Sequence, residues 1–158
     1  MATTKGSRRN AARLSEARSG NLRQLLIRAT RTLNVLVLQG LAKRGHGGIR
    51  LTHSSLLANI DLAGSRISDV AERAEMSKQA AGTLADELET MGYITRRVDQ
   101  GDARGRLLIF TDKGRHLMID ILEIVEDIEK WYAANLGDQT VSALRTGLAA
   151  VVGIRRIS

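Results

Sequence analysis

The strongest constraint in this chain is a junction only two residues long. Ser68 to Ala74 reads as a short capped helix, and Ser77 onward as a longer one, with Glu75-Met76 between them. That is enough for a tight turn and no more, so the two helices must cross sharply, as in a helix-turn-helix. In the longer helix Ala81, Leu84, Ala85, Leu88 and Met91 recur at intervals of three and four and share a buried stripe. Lys78, Gln79, Gly82, Thr83 and Asp86 fall on the opposite side. Ser77 stands at the N-cap position, where its hydroxyl accepts from a free backbone N–H. Lys78, Gln79 and Thr83 lie near the helix N-terminus, the end at which a recognition helix meets base edges. Gly82 is out of place: glycine inside a helix costs about 1 kcal/mol relative to alanine. Close approach of a DNA backbone or of a neighbouring helix would favour it.

Gly92 ends this helix. Tyr93 to Val98 has strand-like content, Arg106 to Phe110 is a second strand, and residues 99–105 between them are polar and turn-rich. Arg66-Ile67 is a candidate third strand. Helix, turn, helix and a two-stranded wing make a winged helix-turn-helix.

Residues Ile67 to Gly114 resemble the MarR family of bacterial transcription regulators. The resemblance rests on Ser68-Asp69-Val70-Ala71-Glu72, Ser77-Lys78, Asp86 through Ile94, the wing pattern Asp99-x-x-Asp102-x-Arg104, and Thr111-x-x-Gly114. It extends more loosely to the flanking helices, from about Asn21 onward. Two positions depart from the family pattern: Thr83 where many relatives carry an arginine, and Gln100 where the wing usually has a proline. The resemblance implies a DNA-binding regulator, often released from DNA by a small aromatic or phenolic ligand bound between the dimer helices and the DNA-binding lobe.

Charge is distributed unevenly. The net charge is +7, yet residues 1–50 hold eleven bases against one acid, Glu16, while residues 65–115 hold nine of each sign. A basic surplus suggests a polyanionic partner, but in the DNA-binding module the positive charge must come from local clustering. Arg96, Arg97, Arg104 and Arg106 supply it in and around the wing. Lys78 and Gln79 suit guanine and adenine edges respectively, and Ser77 and Thr83 suit phosphates or bases. Arg104 is the residue expected to enter a minor groove, with Asp102 orienting it through an ion pair. Arg97 and Arg106 are expected at phosphates, and Arg96 either there or packed across the sheet.

The flanking segments are helical and apolar. Residues 1–19 read as a basic tail whose Arg8, Arg9, Arg13 and Arg18 are candidate phosphate contacts. A long helix is expected from Asn21 to about Arg44, a second over Leu51 to Ile60 with Thr52 as cap, another from Thr111-Asp112 to about Asn135, and a last one after Asp138. A single small domain cannot cover so much apolar surface, which implies a partner. The expected organisation is therefore mainly α with a small β-wing: a winged helix-turn-helix over 46–111, and a homodimerisation region from 20–45 and 112–158. A two-fold protein suits an operator with two half-sites.

Other chemistry is poorly supported. With no cysteine there is no disulfide and no thiolate metal site, nor the cysteine-based peroxide sensing of some members of the resembled family. His46, His53 and His116 form no compact metal motif, and surface or capping roles are expected for them. No phosphate loop or nucleophile elbow is present, so neither an enzyme nor a cofactor is expected. No apolar run approaches the roughly 20 residues needed to span a bilayer, and no signal-peptide core is seen, so a cytoplasmic location is expected. The expected function is a repressor binding a pseudo-palindromic operator in double-stranded DNA as a homodimer, relieved by a small ligand for which Arg28, Arg31 and His53 are candidate contacts. The alternatives are a helical interaction adaptor and a DNA-coating protein without sequence preference.

Overall fold

The computed structural model describes residues 20–99 and 101–153, and the side chains of residues 102–104 are outside that description. The basic tail with its four arginines therefore lies outside the described residues. In order, the chain runs α1 (Leu22–Lys43), α2 (Leu51–Leu57), β1 (Ser65–Arg66), α3 (Ile67–Arg73), α4 (Lys78–Thr90), β2 (Ile94–Asp99), β3 (Asp102–Phe110), α5 (Asp112–Leu136) and α6 (Asp138–Gly153). The chain divides between Leu36 and Val37 into two compact units.

In the second unit the core is aliphatic. Leu41, Leu56, Leu57, Val70, Leu88, Leu108 and Leu117 are fully buried or nearly so, with Ala81 and Ala85 presenting α4 to them. Each buried leucine contributes about 1.5–3 kcal/mol. The stripe expected on α4 is thus the core face. The three-stranded antiparallel sheet has the order β1-β3-β2. Its third strand is Ser65–Arg66, one residue earlier than expected, and α3 starts directly at Ile67.

Three helices stop in the same way. After α1, His46 N–H donates to Leu41 O and Gly45 sits at φ +89°. After α4, Tyr93 N–H donates to Leu88 O and Gly92 sits at φ +77°. After α3, Met76 N–H donates to Ala71 O, but the left-handed position is held by Glu75 at φ +52°. This hydrogen bond from the second residue past the helix captures an orphan carbonyl and needs a left-handed residue before it. The sharp turn of the helix-turn-helix is therefore built at the one place, among the described residues, where a side chain is put into a glycine conformation.

Two expected boundaries shift. The second helix ends at Leu57 instead of Ile60, because Asn59 and Ile60 N–H donate three residues back, to Leu56 and Leu57, and tighten the last turn. Its N-cap is Arg50, not Thr52. The wing hairpin is longer than expected: β3 begins at Asp102, because Asp99 Oδ1 accepts from Gly101 N–H at 2.9 Å and closes the turn early.

The start of α5 is packed against the end of the wing. Thr111 Oγ1 donates to Gly92 O (2.6 Å) and accepts from Gly114 N–H (3.1 Å), so one hydroxyl caps α5 and holds the exit of α4. A Cβ on Gly114 would lie 1.9 Å from Tyr93 O. On α5 and α6 a further apolar surface is left uncovered: Ile119, Leu122, Trp131, Leu136, Leu144, Val151 and Val152 are exposed, and α6 has no buried residue.

Replacing Glu75 with glycine removes left-handed strain of about 1–2 kcal/mol at a smaller entropic cost. Glu75→Gly is expected to raise Tm by about 2 °C in a thermal melt. A lowered Tm would mean the Glu75 side chain holds the turn through contacts that outweigh its backbone strain.

Candidate nucleic-acid interface

The interface is built on the first turn of α4 and on the hairpin beside it. Ser77 caps α4, its hydroxyl accepting from Ala80 N–H at 3.1 Å. Lys78 and Gln79 stand exposed in the first turn. Thr83 is exposed too, and its hydroxyl donates back to Gln79 O at 3.2 Å. Ser77 and Thr83 thus serve their own helix, each keeping an oxygen lone pair for a further partner. Gly82 lies between Gln79 and Asp86 on the same face, and no heavy atom of a neighbouring element lies within 4 Å of where its Cβ would be. Of the two reasons for a glycine here, close packing of a neighbouring helix is not found among the described residues.

The wing arginines separate into two kinds. Arg96 is turned to α4: its backbone N–H donates to Glu89 Oε1 (3.0 Å), its Nη1 to Glu89 Oε2, and its Nη2 to Asp86 Oδ1 (2.6 Å). This is a clamp between α4 and the wing, so Arg96 is neither turned out with the other wing arginines nor packed across the sheet, the two placements expected from sequence. Arg97 and Arg106 are exposed, and among the described residues no ion pair holds either of them or Lys78. The register pairs Arg97 with Leu107 and Val98 with Arg106. Cross-strand partners share a face and successive residues alternate, so Arg97 and Arg106 point to opposite faces of the hairpin. They make two positive edges instead of one patch. Asp102 and Arg104 lie on β3, and the expected ion pair between their side chains lies outside the described residues.

The base of the wing is fastened from the other side. Arg66 donates through Nε (3.1 Å) and Nη2 (2.6 Å) to Asp99 Oδ2, joining β1 to the hairpin turn. The Arg66 guanidinium, with Gly101 N–H, holds the Asp99 carboxyl below the usual carboxylate range.

Two histidines are not at the surface. His53 is buried, accepts from Arg50 N–H at Nδ1 (3.1 Å), and meets Glu87 Oε2 on α4 at 2.7 Å through Nε2. Nδ1 as acceptor makes Nε2–H the donor to Glu87. That hydrogen bond, with Arg50 beside it, lowers the Glu87 pKa. The exposed, ligand-facing His53 of the sequence reading is corrected by this burial: both ring nitrogens already have partners. Arg28 and Arg31 are exposed on α1. His46 is also buried, bridging Tyr93 Oη (2.9 Å) to Asp120 Oδ2 (2.8 Å), while Arg44 reaches Asp120 Oδ1 (2.8 Å) and Glu123 Oε2 (2.5 Å). The acidic stretch of α5 is therefore not all solvated; Asp120 is the anchor of a network that reaches the residue just past α4. Sequence spacing carries no sign of these pairs, because their members are 34 to 79 residues apart.

Arg96→Met keeps the apolar stem and removes the clamp. It is expected to cost about 1–2 kcal/mol and to speed amide exchange across residues 94–99; unchanged exchange would mean the clamp does not hold the wing. Asp120, Asp99 and Glu87 all have pKa values lowered on folding, Asp120 first by Arg44 and then by His46. A carboxyl lowered in the folded state contributes stability above its unfolded pKa and loses it as pH falls through the folded one. Tm is therefore expected to be flat near pH 6 and to fall below about pH 4. Asp120→Asn is expected to lower Tm at pH 6 and to make the acid fall shallower; an equally steep fall would exclude Asp120 as a contributor.

Comparison with known proteins fits this geometry. A family model described as MarR family matches residues 47–105. None of the curated protein sequences compared with the chain matches it. Among solved structures, CouR from Rhodococcus jostii RHA1 bound to p-coumaroyl-CoA is 25% identical, with a TM-score of 0.66 over 89% of this chain and 97% of that one. A MarR-family transcriptional regulator from Rhodococcus sp. RHA1 is 25% identical, with a TM-score of 0.63 over 81% and 89%. Wild-type MarR from E. coli in its apo form shares the fold at 19% identity, with a TM-score of 0.67 over 84% and 97%. The matched segment, residues 47–105, holds the helix-turn-helix and most of the wing and is similar to the MarR family of transcriptional regulators, and the chain shares the fold of solved members of that family.

Proposed function

We propose that the protein is a sequence-specific transcriptional repressor that binds a pseudo-palindromic operator as a homodimer and is released by a small ligand. The observation that carries this reading is the state of the α4 N-terminus: Lys78 and Gln79 stand exposed on a capped helix, beside a hairpin clamped to that helix by Arg96. Lys78 and Gln79 are assigned to base edges, and Ser77 and Thr83 to phosphates or bases. Arg97 and Arg106 are assigned to phosphates on either side of the wing. Arg104 is assigned to the minor groove, with Asp102 orienting it. Residues 46–111 are the DNA-binding region, and 20–45 with 112–158 the dimerisation region.

The exposed apolar side chains of α5 and α6 support a dimer, since a monomer rarely leaves that much apolar surface in water. For the effector, the relative CouR was solved with p-coumaroyl-CoA, an aromatic acyl thioester. By extension, an anionic aromatic compound is proposed here, with Arg28 and Arg31 meeting its charge. Such a ligand acts only by binding one conformation of the dimer better than another.

Selection of bound sequences from a random duplex pool tests the reading. Two inverted half-sites about one helical turn apart are expected. Equal affinity for random duplexes would indicate a coating protein, and no duplex binding an adaptor; either result overturns the proposal. On the selected duplex, Arg104→Ala is expected to weaken binding at least tenfold, about 1.4 kcal/mol, with little change in Tm. Normal binding by that variant would remove Arg104 from the interface.

A further inference from the structure

Among the described residues, nothing accounts for a glycine at position 82. Its φ is not in the left-handed region. It sits in the second turn of α4, where alanine would be the better helix former. No neighbouring atom lies within 4 Å of the place a Cβ would occupy. By contrast, Gly114 and Gly40 are explained from within, by Tyr93 O at 1.9 Å and by Ile124 Cγ2 at 2.9 Å.

Around Gly82 the surface is a notch. Lys78, Gln79 and Asp86 lie one turn before and after it, and all three are exposed. Thr83 has turned its hydroxyl back to Gln79 O. The second turn thus presents bare backbone at Gly82, bordered by longer polar side chains.

We propose that Gly82 is a specificity-determining position: the missing side chain lets the recognition helix seat closer to the floor of the major groove, with the edge of a base pair occupying the notch. This deepens the DNA-binding reading above and rests on it. The seating brings Lys78 and Gln79 within reach of base edges that an alanine at 82 would hold away. Hydrogen bonds weaken steeply beyond about 3.2 Å, so a displacement of a fraction of an ångström is enough to lose them.

The test uses the full chain and the duplex that the wild-type protein selects from a random pool. Gly82→Ala and Gly82→Ser are measured for affinity and for Tm. Both are expected to fold at least as well as wild type, with Tm higher for alanine by about 2 °C. Both are expected to bind at least tenfold more weakly, serine no better than alanine, because the loss follows side-chain size. Affinity within twofold of wild type would overturn the inference while leaving the DNA-binding reading intact. So would a ranking with alanine weakest and serine between alanine and wild type, since that order follows helix propensity and would mean that helix stiffness, not space, decides. A wild-type chain that selects no sequence would overturn the DNA-binding reading and this inference together.

Discussion

The contact between Gly114 and Tyr93 O is the constraint on which the winged helix-turn-helix depends. With no Cβ at 114, the first turn of α5 lies directly on the backbone that leaves α4. Thr111 then spans the gap, bonded to Gly92 O on one side and capping α5 on the other. Lys113 adds a bond to Met91 O and lies 4.5 Å over the Tyr93 ring. The end of α4, the root of the wing and the start of α5 therefore meet at one point, joined by backbone as well as side-chain contacts.

From that point outward, the orientation of the interface is set by charge pairs. Arg96 fastens β2 to α4, Arg66 fastens the hairpin turn to β1, and Glu87 fastens α4 to His53 on α2. Arg96 is partly shielded, its side chain being 25% exposed. The pairs hold the helix and the wing in one relation and use up charges that would otherwise appear free. Nine bases and nine acids in residues 65–115 looked like a neutral surface with no clear bias. In the fold, Asp86 and Glu89 are paired with Arg96, Glu87 with His53 and Arg50, and Asp99 with Arg66, while Lys78, Arg97 and Arg106 remain exposed.

The network at His46 connects the same region to α5 by a second route. Tyr93, His46 and Asp120 form a chain of hydrogen bonds beside the Gly114 contact, and Arg44 closes it at the end of α1. Both ring nitrogens of His46 are bonded within it, and among the described residues no buried side-chain nitrogen or oxygen lacks a partner. A satisfied buried network favours one arrangement over near alternatives, which suits a module whose binding depends on the angle between elements.

Local pattern was enough to locate the helix-turn-helix, the caps at Ser77 and Thr111, the stop at Gly92 and the two-stranded wing. Each of these depends on residues within one or two helical turns, where spacing alone carries the physics. The apolar excess on α5 and α6 was legible for the same reason. Tertiary structure decided the roles of Arg96, His46 and His53, because an ion pair or a buried imidazole depends on which distant element arrives beside it. It also decided that Arg97 and Arg106 face opposite ways, since strand register and the bulge at Val98/Asp99 come from pairing, and that none of the described residues packs over Gly82.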